Sequence, residues 1–165
     1  MPKFTAIVYT RAEDEPYLQR ALESLRVAND ILLVNGDRTP EIRSMARHYS
    51  AREKIGVPGV TPGAYLMDAF HHWILVLRPF EELSNDLIRS LQEWKRRKKD
   101  DTHGYLLGVL QQNGDNWNPV SQELRLVNRQ HVNWMGELPP KMNAPVLPGA
   151  ILRYERDMEE QRLVS

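Results

Sequence analysis

A chain of 165 residues, 41% of them hydrophobic and 27% charged, has enough apolar side chains for one domain with its own core, and this composition excludes a disordered chain. Its 22 basic and 22 acidic residues give a formal net charge of zero, so no overall charge favours nucleic acid or an anionic membrane. The absence of cysteine excludes disulfides, thiolate metal sites and cysteine nucleophiles.

The N-terminal sequence runs directly into an apolar, strand-like segment and lacks the pattern of a signal peptide. No apolar run in the sequence reaches membrane-spanning length. We therefore expect a cytoplasmic protein without a transmembrane segment.

The first hundred residues alternate between short apolar segments and amphipathic segments. Buried strands are predicted at 4–9, 31–34, 54–57 and 73–77. Helices are predicted to begin near the capping residues Asp14, Thr39, Thr61 and Ser84. This regular alternation predicts an α/β fold with a mixed, mainly parallel sheet and helices on both faces.

The pattern changes after Asp101. Strands are predicted at 105–110, 123–127, 132–135 and 151–154. A turn at 113–116 joins the first two, and a proline-rich stretch from 139 to 148 precedes the last. This half is expected to be more antiparallel and richer in loops. Residues after Glu155 are charged and are expected to form a helix or a frayed tail.

Polar residues follow several of the predicted strands. In an open α/β sheet, ligands bind beyond the carboxyl ends of the strands. This rule selects four short segments as the candidate site: Thr10–Glu13, Asn35–Arg38, Arg78–Glu81 and the segment around Arg125.

These segments belong to a series of motifs in a fixed order. The series comprises Tyr9-Thr10-Arg11-Ala12-Glu13, Leu22-Glu23-Ser24-Leu25, Asn29 to Gly36, Trp73 to Glu81 followed by Leu83-Ser84, Leu124 to Val127, and Trp134 to Leu138. In order and spacing, the series resembles family-2 glycosyltransferases of the GT-A fold, from Phe4 to about Tyr154. Within that family, the sequence is most similar in style to the short bacterial enzymes that build lipopolysaccharide core or other cell-envelope sugars.

The resemblance implies a nucleotide-diphospho-sugar transferase fold in one domain. Residues 1–100 would be its nucleotide-binding half, 101–155 a shortened acceptor-side half and 156–165 a charged tail. The implied ligand is a nucleoside diphosphate sugar. The residues expected to bind it are Thr10, Arg11, Glu13, Asn35, Gly36, Asp37, Arg38, Arg78, Glu81 and Arg125.

The charged landmarks of the family are replaced in this chain. Its Asp-x-Asp metal motif falls at Arg78 and Phe80, and neither side chain can ligate Mg²⁺ or Mn²⁺. The uridine-contacting aspartate corresponds to Asn35, the His-Glu pair to Pro139-Pro140, and a late histidine to Arg153. The resemblance therefore implies no metal and no cofactor, and it assigns no catalytic residue.

Arg78 has two interpretations. Its guanidinium can bind a diphosphate and replace the positive charge of the metal, assisted by Arg11, Arg125 or Arg153 if these converge. Alternatively, it is a surface arginine that ends a strand and pairs with Glu81 or Glu82. The acids Glu13, Asp37 and Glu81 likewise can contact a nucleotide or stabilise the starts of the next helices.

Other polar and aromatic groups have structural interpretations. The basic run 95–99 is expected to be a solvated helix end and not a nucleic-acid site, with peripheral contact to an anionic membrane as a further interpretation. His71-His72 is expected in a surface turn, and His103 and His131 lack a partner at metal-ligand spacing. Trp117 and Trp134 can stack on a sugar ring or lie in the core.

Two functions remain open from the sequence. The first is sugar transfer from a nucleoside diphosphate without a metal, with Arg78 stabilising the leaving diphosphate. The second is a catalytically inert relative that acts as a binding or scaffold module. The chain is short for a complete enzyme of this fold, which favours the second interpretation for activity.

Overall fold

The computed structural model describes residues 1–156. The charged tail predicted after Glu155 therefore lies, from residue 157 onward, outside the described residues. The eight strands are β1 (Phe4–Thr10), β2 (Asp30–Asn35), β3 (Arg52–Ile55), β4 (Trp73–Val76), β5 (Glu81–Leu83), β6 (Gly104–Asn113), β7 (Asn116–Asn128) and β8 (Val146–Arg153). The α-helices are α1 (Glu15–Ser24), α2 (Pro40–His48) and α3 (Asn85–Lys95), and 3-10 helices span Ala12–Asp14, Leu25–Val27 and Pro62–Asp68.

The strands form a single mixed sheet in the order β3-β2-β1-β4-β7-β6-β8-β5. The first four strands in that order are parallel to one another. β7 is antiparallel to both β4 and β6, β8 is parallel to β6, and β5 is antiparallel to β8. The predicted α/β class with a mainly parallel, mixed sheet is confirmed.

Helical segments cover both faces of the sheet, but unequally. Alternate residues of each strand point to opposite faces, so Ala6 and Val8 pack with α1, α2 and α3 on one side. Ile7 faces the other side, which is covered by the 3-10 helix Pro62–Asp68 and by the loop that carries Val132 and Trp134. None of the helices within residues 1–156 combines the length and the apolar character needed to cross a membrane.

Several predicted elements differ in detail. The strand predicted at 132–135 is wrong, because that apolar segment is an irregular loop whose Val132 and Trp134 fill the second face of the sheet. β5 has only three residues, two of them glutamate, and was not predicted. β3 begins two residues earlier than expected. His103 and His131 are not isolated, because their rings stack with centroids 4.3 Å apart.

Of the four predicted caps, Ser84 is confirmed, whereas the side chains of Asp14, Thr39 and Thr61 make no capping hydrogen bond. The Ser84 hydroxyl accepts the Leu87 N–H at 3.1 Å, as expected for an N-cap. The Thr39 hydroxyl caps nothing and is buried without a partner. The backbone of Thr39 is bound by the Asn35 side chain, which accepts the Thr39 N–H at 3.1 Å and donates to the Thr39 carbonyl at 2.9 Å.

β8 passes very close to the start of α3, and a glycine makes this possible. Gly149 has a φ of +101°, and a Cβ at this position would lie 2.3 Å from the Leu87 nitrogen. We predict that Gly149→Ala lowers the free energy of unfolding by more than about 3 kcal/mol, because the backbone of α3 cannot move away without breaking its contact with β8. Chemical denaturation measures this.

Gly114→Ala is the matched control. Gly114 also has a positive φ, of +60°, but nothing lies within 4 Å of the Cβ position, so about 1 kcal/mol is expected. Equal losses for the two variants would show that backbone conformation alone, and not the close approach, makes glycine necessary at position 149.

Candidate functional site

An open cavity of about 410 Å³ lies at the carboxyl ends of β1 and β4. The residues that follow these two strands form its floor and one wall, and the loops around residues 60 and 137 form the opposite side. The lining residues are Tyr9, Arg11, Glu13, Asp14, Gly59, Val60, Thr61, Pro62, Val76, Leu77, Arg78, Pro79, Phe80, Glu137, Leu138 and Arg156. This is the sheet edge where the sequence placed the site.

Three of the predicted site residues line the cavity: Arg11, Glu13 and Arg78. Asp37 lies behind Arg11 and accepts its Nε–H at 3.1 Å. The same carboxylate accepts the Ala12 N–H at 2.7 Å. This backbone hydrogen bond, and then the Arg11 guanidinium, lower the pKa of Asp37. Asp37 therefore holds the loop after β1 in place and keeps Arg11 at the cavity.

Four other predicted residues do not line the cavity. The buried Thr10 hydroxyl donates to the Val34 carbonyl at 3.0 Å. Asn35 is fully buried, and its amide also donates to Glu53 at 2.9 Å, so its side chain is occupied by protein partners. Gly36 allows close packing, since a Cβ there would lie 2.8 Å from the Thr10 carbonyl oxygen. Arg38 is exposed, with a φ of +59°, and lies apart from the cavity lining.

Glu81 and Arg125 form a buried ion pair beneath the cavity. Both side chains are 0% exposed, and two parallel hydrogen bonds of 2.9 Å join the guanidinium to the carboxylate. Arg153 adds a contact to Glu81 at 3.0 Å, and Glu123 accepts from Arg125 at 3.0 Å. Burial acts to raise the pKa of Glu81, but the charge of Arg125 outweighs it and lowers this pKa.

Glu81 and Arg125 were expected to bind the ligand. Because both side chains are fully buried, we infer a structural role for them instead. Arg125 also donates to the Val76 carbonyl at 3.0 Å, and Glu81 accepts the Arg78 N–H at 2.8 Å. The pair therefore fixes both ends of the turn between β4 and β5. That turn carries Arg78 into the cavity.

The structural interpretation of Arg78 paired its side chain with Glu81 or Glu82. The side chain pairs with neither of them. Its Nε donates to Glu137 at 2.7 Å, 59 residues further along the chain. Glu137 is 58% exposed, whereas Arg78 is 25% exposed. An ion pair with one largely solvated partner is weak, so the Arg78 guanidinium can exchange Glu137 for another anion.

Two further charged residues of the cavity were not singled out by sequence reasoning. The Arg156 guanidinium lies 4.1 Å above the centre of the Phe80 ring. Asp14, which the sequence suggested only as a helix start, is 7% exposed and accepts the Arg11 N–H at 2.8 Å. Burial raises the pKa of Asp14 to about 6. Nothing in the sequence distinguishes this acid from a helix cap, because its burial depends on distant segments.

The residues at the carboxyl end of β4 do not fit a divalent cation. Positions 78 to 80 present a guanidinium, a proline and a phenyl ring, and none of these supplies the oxygen ligands that Mg²⁺ or Mn²⁺ requires. Within residues 1–156, no group of three or more histidine, aspartate or glutamate side chains is arranged to hold a metal ion.

No protein-family model and no curated protein matches the chain. Among solved structures, S. aureus TarS 1–349 matches with a TM-score of 0.49 and 20% identity over 73% of this chain and 39% of that chain. The same protein in complex with UDP matches with a TM-score of 0.49 and 19% identity over 73% of this chain and 38% of that chain.

The chain thus spans less than two fifths of the TarS chains it matches. At this identity and TM-score, no ligand and no residue role can be taken from TarS.

The buried ion pair gives a prediction about stability. Glu81→Gln leaves the Arg125 charge buried without its bidentate partner, and this should lower the free energy of unfolding by about 3–5 kcal/mol. Asp101→Asn removes the acid of the exposed Lys99–Asp101 pair and should cost less than about 1 kcal/mol. Chemical denaturation of both variants tests this, and similar small losses would show that Glu123 alone can neutralise Arg125.

Proposed function

We propose that the cavity binds the diphosphate of a nucleoside diphosphate sugar with arginine in place of a metal ion, in a glycosyltransferase-like protein. The observation that carries the proposal is the position of Arg78. It lines the cavity at the carboxyl end of β4, its backbone is held by the buried Glu81, and it stands where the resembling family has its metal motif.

The chemistry of the cavity supports a phosphate ligand. A guanidinium presents paired N–H donors that match two phosphate oxygens, and it stays charged at every accessible pH. Arg11 follows β1, Arg78 follows β4, and both line the same cavity. A diphosphate between them would present two negative charges, whereas an exposed carboxylate presents one.

If the protein transfers sugar, the bond between the anomeric carbon and the diphosphate breaks while the acceptor oxygen forms the new bond. Negative charge then grows on the leaving diphosphate. Arg78, with Arg11, would stabilise that charge electrostatically in a partly water-excluded site. A bacterial cell-envelope pathway, a cytoplasmic location and peripheral membrane contact remain predictions from the sequence.

A second candidate function has its own supporting observation. The cavity lining carries three arginines, Arg11, Arg78 and Arg156, and three carboxylates, Glu13, Asp14 and Glu137. The positive charge is therefore balanced by the protein itself. Such a site favours a binding or scaffold module that does not carry out transfer, because a diphosphate must first displace protein carboxylates.

Calorimetric titration with UDP-glucose, GDP-mannose and ADP-glucose, each with and without Mn²⁺, tests the main proposal. Binding of at least one of these compounds with the same affinity in both conditions is expected. No binding of any compound would overturn the proposal, and binding only with Mn²⁺ would show that a metal is held after all. Release of free sugar or its transfer to an acceptor would then distinguish the two candidate functions.

Arg78→Gln tests the residue that carries the proposal. Loss of the guanidinium should weaken nucleotide-sugar binding at least tenfold, roughly the effect of removing one charge-assisted hydrogen-bonding partner. Arg89→Gln is the matched control, because Arg89 is exposed on α3 and pairs only with Asp86 among the described contacts. Equal affinities for the two variants would place the diphosphate elsewhere.

Glu137→Gln tests the exchange of partners at Arg78. Removing this carboxylate frees the guanidinium and removes a negative charge from the cavity, so affinity for the nucleotide sugar should rise about threefold to tenfold. Glu93→Gln, an exposed change on α3, should leave the affinity unchanged. Weaker binding by Glu137→Gln would mean that Glu137 contacts the ligand directly.

A further inference from the structure

Asp14 differs from the other carboxylates around the cavity. Asp37 and Glu137 each pair with an arginine, and both are substantially solvated. Asp14 is 7% exposed. Within residues 1–156, no arginine or lysine nitrogen lies within 4.0 Å of its carboxylate; its hydrogen bond from the Arg11 N–H, at 2.8 Å, comes from the backbone. It is a buried acid in the cavity lining, and burial raises its pKa more than the nearby charges of Arg156 and Arg11 lower it.

The charges that face Asp14 come from every side of the cavity. Glu13 precedes it on its own turn, and Arg11 and Arg156 approach from the ends of β1 and β8. Arg78 and Glu137 lie in the same lining. The only other ionisable side chain in that lining is the phenol of Tyr9, and burial raises its pKa above the ordinary value. None of the five histidines, all of them among the described residues, lines the cavity.

A bound diphosphate changes the balance at this acid. The negative charge of the diphosphate repels that of the buried Asp14 carboxylate, so the ionised form of the carboxyl becomes less favourable. The protonated form instead offers an O–H that donates a short, charge-assisted hydrogen bond to a phosphate oxygen. The cavity that recruits phosphate through Arg11 and Arg78 thus favours the acid form of Asp14.

We infer that Asp14 binds the phosphate in its protonated form, so that each nucleoside diphosphate sugar enters the cavity together with one proton from solvent. The inference rests on the proposed function. It makes Asp14 a donor that completes the arginine site, in a position where no metal ion neutralises the diphosphate.

The direction of the pH dependence follows from the acid itself. Burial raises the pKa of Asp14 to about 6, so most molecules are ionised at pH 7.5 and most are protonated at pH 5.5. When the ligand binds, the Asp14 carboxylate takes up a proton if it is ionised. Affinity for the ligand therefore rises as pH falls through 6. A nucleotide sugar is a suitable probe because both of its phosphates are diesters that stay ionised across this range.

The experiment measures the affinity of UDP-glucose, GDP-mannose and ADP-glucose between pH 5.5 and 7.5. For the wild-type protein, affinity should be about twentyfold higher at pH 5.5 than at pH 7.5. Asp14→Asn should bind with an affinity that changes less than about twofold over this range, because its amide is a neutral donor at every pH. Glu15→Gln, which alters the exposed neighbouring acid, should keep the wild-type dependence.

A second measurement needs no variant. Titration of the wild-type protein at pH 7.5 in buffers of different ionisation enthalpy counts the protons taken up, and about one per bound ligand is expected for an acid with a pKa of about 6. Binding without proton uptake, or with equal affinity at both pH values, overturns the inference and leaves the proposed function standing.

The remaining outcomes are also decisive. A pH dependence that persists in Asp14→Asn but disappears in Glu13→Gln or Glu137→Gln assigns the proton to one of those acids and overturns the inference. Failure of all three nucleotide sugars to bind at any pH overturns the proposed function itself.

Discussion

The buried pair of Glu81 and Arg125 is the interaction on which the rest of the site depends. Two opposite charges taken entirely out of water are stable only when their geometry is good and their remaining hydrogen bonds are satisfied. Here the guanidinium and the carboxylate meet through two bonds of 2.9 Å, and Arg153 and Glu123 occupy further positions around them. The network joins β4 and β7, where the parallel and antiparallel parts of the sheet meet, to β8 and β5 at the end of the strand order.

Above this network, the cavity has a fixed backbone and exchangeable side chains. Glu81 holds the Arg78 N–H, and Asp37 holds the Ala12 N–H in the same way. The guanidinium of Arg78, in contrast, pairs with a carboxylate that is largely solvated. An anion-binding site requires a rigid backbone and a charged group that is weakly held. Because folding already orders the loops, binding does not have to supply the conformational entropy of ordering them.

Sequence reasoning predicted the parts of the fold that depend on local pattern. The strands β1, β2 and β4 are continuous apolar runs, and α1 and α3 have their apolar residues at helical spacing, so these elements are predictable from period and composition. β5 is too short and too acidic to show a strand pattern. The segment around Val132 shows one but folds as a loop, because burial against a sheet face requires apolar side chains and not a hydrogen-bonded ladder.

The candidate site was predictable to the sheet edge but not to the individual side chain. The rule for open α/β sheets selected the ends of β1 and β4, and the cavity lies at these strand ends. It could not distinguish Arg78, which enters the cavity, from Arg125, which is fully buried, because both stand beside apolar strand residues in the sequence. That difference depends on Glu81, which comes from β5, and on Glu123, which lies two residues from Arg125 on the same face of β7.

The same limit applies to the balance of charge. Counted along the sequence, the arginines near the strand ends suggest a strongly positive cleft. In three dimensions each of the cavity's guanidiniums shares its surroundings with a carboxylate, and neither Asp14 nor Glu137 was among the residues expected to bind the ligand. A site with a metal ion has a fixed surplus of positive charge for its diphosphate. A site with arginines and acids in equal number must gain that surplus when the ligand arrives, either by releasing a carboxylate from its arginine or by protonating one.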